Sequence, residues 1–328
     1  METRDLGRTG LRVTAIGFGS QTVGGLGYGD QDWSQSQPTV ERYLRGGGRF
    51  IDSARGYGTS EIHVGKAIKA VGLPADAVVV CSKSGSLHPP CTAADLDVSR
   101  FCLQRDWIDV YYVHVPSPDR AVHEKILDAY CGFKRKGYIR CVGLSCRDVN
   151  DPAHQDEIRG WIRDARVDAI QFPFNFSVPH VGELIADAAA HGKGAVCRGT
   201  VLSGALDDRL LPGHRFTDRD NDWRAQVEPS AMDEALAIVQ EIKRKHVRPP
   251  YRSVSQLSQL WVLSHPSVSA IIPGAGTVAE MDLVLALDGL PPLDQATRDD
   301  LAALAAPLRE LLKRRGKKER RPPQARKR

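Results

Sequence analysis

Four ionisable residues of four different kinds, Asp52, Tyr57, Lys83 and His114, stand at or shortly after the ends of short apolar runs in the first part of the chain. A carboxylate, a phenol, an ammonium and an imidazole gathered in one place would form a cluster able to hand a proton to a substrate oxygen, which requires a positioned acid or base. Taken singly, each has a plainer reading. Asp52 would cap a helix or turn, Tyr57 would pack, Lys83 would be solvated, and His114 would be a hydrogen-bonded structural imidazole. Their common placement at run ends is what makes them a set.

The runs that carry them, over 48–52, 78–81 and 108–113, are rich in Val, Ile and Tyr and too short for helices, so they predict buried strands. Other such runs end near Gly19, Ser145, Gln171, Arg198 and Pro273. Most of the intervals are about thirty residues, the length of one strand-plus-helix unit. Between the runs, apolar residues recur at helical spacing over 61–71, 120–136, 181–190, 231–245 and 254–263. Strand and helix alternating in this way predict an α/β fold, a closed (β/α)8 TIM barrel with its helices outside. Gly7 and Gly10 mark an N-terminal β-hairpin over 4–13. Residues 203–230, rich in Asp, Arg, Gly and Pro, predict a long loop after strand 7, and 296–312 an extra C-terminal helix. A doubly wound dinucleotide fold would need a Gly-x-Gly-x-x-Gly turn, and neither Gly17 and Gly19 nor Gly24, Gly25 and Gly27 has that spacing.

Composition sets limits. At 328 residues with 41% hydrophobic content, the chain can bury a large core. No stretch approaches the ~20 apolar residues of a membrane span, and the start lacks the apolar segment of a signal peptide. Seven scattered cysteines, mostly within apolar runs, suggest reduced thiols and a cytoplasmic protein. His88 and Cys91 are the only close His/Cys pair, with nothing near to complete a zinc set, so no metal is expected. The net charge of +5 comes from residues 313–328, where ten basic residues stand with a single acid. The body over 1–312 is slightly acidic, so no nucleic-acid partner is expected, and the tail reads as solvated and disordered.

At this point the motifs become recognisable. Phe50-Ile51-Asp52-Ser53-Ala54-Arg55-Gly56-Tyr57-Gly58, followed by Ser60, Glu61 and Gly65, resembles the signature of the aldo-keto reductase family. Lys83 within Cys-Ser-Lys-Ser-Gly and His114 within Asp-Val-Tyr-Tyr-Val-His-Val-Pro match its second and third catalytic segments. Similarity continues at Gly143 to Ser145, Gln171 to Asn175, Val201 to Gly204 and Ile271 to Gly274. The resemblance implies a (β/α)8 barrel that reduces an aldehyde or ketone with NAD(P)H. In it Tyr57 would be the acid, Lys83 would ease release of its proton, Asp52 would hold Lys83 charged, and His114 would orient the carbonyl.

The resemblance also implies a cofactor site made of Gly19, Ser20, Gln21, Asp52, Ser145, Cys146, Gln171, Arg198, Gly199, Val201, Ser203, Gly204, Pro273, Gly274, Ala275, Gly276, Thr277 and Glu280. Two positions depart from the family pattern. Cys146 stands where the family has an Asn for the nicotinamide amide, and a thiol donates and accepts only weakly. Arg198 stands where many members stack an aromatic ring, though a guanidinium plane can also stack. At the adenosine end the usual basic residue is missing and Glu280 would repel a phosphate, while Gly276 and Thr277 could offer donors at a helix start. NADPH is expected on family habit, with NADH possible. Substrate pocket residues are expected over 21–28, 88–91, 115–117 and 206–222, including Tyr28, with Trp33 nearby. They hold no basic cluster in the first loops, which suggests a neutral small-molecule carbonyl. Alcohol or sugar oxidation by the same residues, or a cofactor-binding regulatory subunit with little turnover, are the alternatives. The oligomeric state is left open.

Overall fold

A computed structural model describes residues 1–25, 33–217 and 222–315. Two short antiparallel strands, β1 (Thr3–Asp5) and β2 (Arg12–Thr14), form the N-terminal hairpin. Eight parallel strands follow: β3 (Phe18–Gly19), β4 (Phe50–Asp52), β5 (Val79–Ser84), β6 (Ile108–Val113), β7 (Ile139–Ser145), β8 (Ala169–Pro173), β9 (Gly194–Arg198) and β10 (Ala270–Ile271). Each pairs with the next in sequence order. The first and last meet through parallel bridges Ile16 to Ile271 and Gly19 to Gly274, which close the sheet into the expected barrel. Because both faces of such a sheet are covered, the strands are continuous runs of buried residues, as in Ile108–Val113.

The helices are α1 (Trp33–Arg45), α2 (Ser60–Val71), α3 (Pro89–Leu103), α4 (Arg120–Arg135), α5 (Pro152–Arg163), α6 (Val181–Ala190), α7 (Pro229–His246), α8 (Val254–Leu263), α9 (Val278–Leu285), α10 (Gln295–Ala305) and α11 (Leu308–Lys313). Among the described residues none is long and apolar enough to cross a membrane. The single terminal helix expected over 296–312 is two. Pro307, which lacks the N–H that would bond back one turn, lies between them. The described chain also runs past the expected barrel end at 312. Lys313 belongs to α11, the Arg314 carbonyl accepts from Glu228 N at 2.9 Å, and Arg315 bridges Val227. Residues 316–328 of the expected tail lie outside the described residues.

The barrel interior is filled by Phe50, Val79, Cys81, Val110, Tyr112, Cys141, Ala169, Val196 and Ala270, with Leu6 and Val13 of the hairpin segment plugging it. Register places Tyr112 between Lys83 and Gly143 on the neighbouring strands. A Cβ on Gly143 would lie 2.3 Å from the Tyr112 ring, so that ring occupies the space of the missing side chain. A larger cluster packs the helices onto the outer face of the strands. The side chains of interest stand at the carboxyl ends of successive strands, the face on which such barrels carry their chemistry.

Candidate active site

Asp52 ends β4, Lys83 lies near the end of β5, and His114 follows β6 directly, so three adjacent strands deliver them to one spot. Tyr57 comes from the loop between β4 and α2. Lys83 is buried at 1% exposure and Asp52 at 2%. The Lys83 ammonium donates to Asp52 Oδ2 at 2.5 Å and to the Ser53 carbonyl at 2.8 Å, with a long contact to the Tyr57 hydroxyl at 3.5 Å. It also lies 4.8 Å from the Tyr57 ring centre. Asp52 Oδ1 accepts from Gln171 Nε2 at 2.6 Å, so both carboxylate oxygens are engaged. The His114 ring meets the Tyr57 ring edge-on at 5.6 Å.

Burial works against the Lys83 charge, but the Asp52 carboxylate and Tyr57 outweigh it and hold the ammonium above its usual range. The opposite happens at His114, which burial and the nearby Lys83 and Arg198 cations push down to about 3. The imidazole is therefore neutral at neutral pH and able to donate one hydrogen bond. A consequence for stability follows from linkage. Between the free value of about 6.5 and the folded value, the unfolded chain binds a proton that the folded chain refuses. This contribution is complete above pH ~6.5 and is lost as pH falls through that window. Thermal melts are expected to decline more steeply from pH ~6.5 to ~4 for the native chain than for His114→Asn. Parallel curves would remove His114 as the source.

A cavity of about 470 Å³ opens over this cluster, lined by Asp52, Tyr57, His114, Val115, Cys146, Arg147, Arg198 and backbone around Gly19 and Gly274. A second, of about 710 Å³, adjoins it, and the two share Thr22, Val201, Pro273 and Gly274. Of the sequence-derived cofactor residues, Gly19, Gln21, Asp52, Cys146, Arg198, Gly199, Val201, Pro273 and Gly274 line the first cavity. Gly204, Gly276, Thr277 and Glu280 line the second. Five stand elsewhere. Ser20 is buried, its hydroxyl donating to the Asp52 carbonyl at 2.8 Å and contacting Ser60. Ala275, Ser145 and Gln171 are buried and outside both linings, with Ser145 at the end of β7 paired in register with Gln171 in the middle of β8. Ser203 belongs to a short 3-10 turn, Leu202–Gly204.

Glu280 has a role that its charge alone concealed. Thr277 Oγ1 accepts from Glu280 N at 3.2 Å while Glu280 Oε2 accepts from Gly276 N at 2.8 Å, a reciprocal cap of α9. The Gly276 N–H expected to be open to a phosphate is thus already bonded. The spacing Thr-x-x-Glu was the available signal for this cap.

The expected cofactor residues lack the basic side chains of the second cavity, Arg209, Arg224, Lys243 and Arg252, of which only Arg209 falls in an expected substrate loop, 206–222. They come from the long loop, α7 and the segment just before α8, far apart in sequence, and no motif joins them. The expected set also lacks Thr200 and Gln259, whose Oγ1 and Oε1 are buried without a hydrogen-bond partner. In the expected substrate loops, Gln21, Thr22, Val115 and residues 207–209 line the cavities, whereas His88 and Cys91 contact each other outside them. Trp33 packs against Gly25 and His63, away from both cavities. Tyr28 and residues 218–221 lie outside the described residues.

Comparison with known proteins agrees with the barrel fold. A family model described as the aldo/keto reductase family matches residues 15–305. The aldo-keto reductase YhdN of Bacillus subtilis is 26% identical over 307 residues, covering 88% of this chain and 89% of its own. The L-galactose dehydrogenase of Arabidopsis thaliana is 24% identical over 327 residues, covering 95% and 96%. Among solved structures, the holo form of aldo-keto reductase AKR11C1 from Bacillus halodurans superposes with a TM-score of 0.73 at 22% identity, covering 93% of this chain and 96% of that one.

Proposed function

Because the chain belongs to the aldo/keto reductase family, we propose that this oxidoreductase reduces an aldehyde or ketone to the alcohol, with NADPH as its cofactor and Tyr57 as the general acid. The observation that carries the reading is the buried chain from Asp52 through Lys83 to the Tyr57 hydroxyl, which ends in the wall of a cavity. A reduced nicotinamide dinucleotide bound there would supply hydride. As the carbonyl oxygen gains charge, Tyr57 donates its proton and the Lys83 cation stabilises the phenolate left behind. Asp52 keeps Lys83 in place and offsets the cost of burying it. Neutral His114 donates a hydrogen bond to the same oxygen and fixes the approach of the substrate.

Two adjoining chambers suit a ligand made of two nucleotides. Cys146 and Arg198, with Ser145 and Gln171 close behind the wall, mark the nicotinamide end, and the unpartnered Thr200 hydroxyl adds a polar contact. Four basic side chains mark the other. Arg209 pairs with Asp207, Arg224 with Asp222 and Lys243 with Asp208. Arg252 is exposed and has no acidic side chain paired with it among the described residues. That free guanidinium supports NADPH, whose added phosphate it would meet. Arg252→Ala is expected to weaken NADPH about tenfold or more and NADH less than about twofold, read by tryptophan fluorescence titration. Equal losses would return the cofactor preference to NADH or to neither.

A second reading, alcohol oxidation by the same residues, is favoured by the likeness to a protein named L-galactose dehydrogenase. Assays in both directions with panels of carbonyls and sugars test both readings. Tight dinucleotide binding without turnover in either direction would overturn both in favour of a regulatory subunit.

A further inference from the structure

The peptide group joining Cys146 to Arg147 is gripped from both ends. Its carbonyl accepts from Arg198 Nη2 at 2.7 Å, and its N–H donates to His154 Nε2 at 3.0 Å. His154 comes from α5 and is 3% exposed. Its other nitrogen, Nδ1, faces Glu157 Oε2 at 2.7 Å. A backbone N–H can only donate, so Nε2 is the bare nitrogen and the ring proton sits on Nδ1, directed at the carboxylate. The Trp161 ring closes on the imidazole edge-on at 5.3 Å. Glu157 also draws the Arg147 guanidinium to 3.4 Å.

We propose that His154 is a positioning residue for the nicotinamide end of the cavity, acting through this peptide to set the place of Arg198. The inference rests on the cofactor reading above. Its physical need is visible in Cys146. Burial raises that thiol far above its usual range, so it remains a neutral, weak hydrogen-bonding group. A side-chain amide could anchor the strand end by itself, whereas here the main chain must do so. If the peptide plane turned over, an N–H would face the Arg198 guanidinium, and two donors cannot bond. His154 opposes that rotation with an acceptor locked by Glu157.

The test separates the two halves of the cofactor. Tryptophan fluorescence titrations would compare NADPH with 2′-phospho-ADP-ribose, which lacks nicotinamide; NADH and ADP-ribose replace them if NADH binds tighter. His154→Leu is expected to weaken the dinucleotide about tenfold while leaving the truncated ligand within about twofold, the loss of one well-placed hydrogen bond. His154→Gln, which keeps an acceptor for the Arg147 N–H, should recover most of that loss. Glu157→Leu, at a more exposed site, should reproduce it at about threefold and serves if His154→Leu does not fold. In an Arg198→Met background, His154→Leu should add nothing. Equal weakening of both ligands, unchanged dinucleotide affinity, or a full additional loss without Arg198 would overturn the inference alone. A native protein that binds no dinucleotide would sink the functional reading, and this inference with it.

Discussion

Replacing Tyr57 by Phe is expected to lower the rate of carbonyl reduction by about 10²–10⁴-fold, the range carried by a positioned general acid. The substitution removes one oxygen and leaves the ring edge-on to His114. Among the described residues nothing else in the cavity wall offers a comparable proton, since burial raises the Cys146 thiol far above its usual range. His114 is neutral and pushed down to about 3, so its remaining proton is a poor one to give away. Lys83 is held above its usual range by Asp52 and lies behind the wall, at 1% exposure. Cofactor affinity should stay within about twofold, since the deleted group enters only as charge builds on the substrate oxygen. Single-turnover kinetics with a generic aldehyde, alongside a cofactor titration, would check both parts. A variant that retains turnover would take the acid role away from Tyr57.

Lys83→Met should be costly in a different way. It strands the Asp52 carboxylate at 2% exposure with only Gln171 to bond it. Breaking one side of a buried ion pair typically costs about 3–5 kcal/mol, because the remaining charge is uncompensated. Activity should fall as well, since no cation would remain beside the Tyr57 hydroxyl. Urea unfolding measures the first effect. The double variant Lys83→Met with Asp52→Asn should be more stable than Lys83→Met alone, as the stranded charge is gone. If the single variant unfolds like the native chain, the Asp52–Lys83 pair does not hold this part of the barrel together.

Much of this arrangement was legible along the chain. Runs of β-branched and aromatic residues, buried on both faces, can only be inner strands, and their thirty-residue recurrence leaves few closed architectures. Asp52, Lys83 and His114 were each readable because one strand end places each of them. Cys146 and Arg198, at or just beyond the ends of β7 and β9, were readable as cavity residues for the same reason. The division of 296–312 was missed at a single residue, Pro307, whose missing N–H interrupts a helix that the apolar spacing otherwise continues.

What depends on contacts between distant segments could not be read this way. Arg209, Arg224, Lys243 and Arg252 line one chamber only because a loop and two helices fold over it. Glu280 seemed a charge that would repel a phosphate until the capping geometry of α9 gave its carboxylate the Gly276 N–H and its own N–H the Thr277 hydroxyl. His154 carries no motif, and its meaning comes from a peptide on another element that presents it an N–H. By itself the amino-acid order determined the barrel and the residue types delivered to its mouth, because strand periodicity is local and each strand end is a fixed address. Tertiary structure alone decided which charges are paired, which donors are already used and which peptide plane is clamped. Those are properties of distance, and residues far apart in the chain acquire a distance only when it folds.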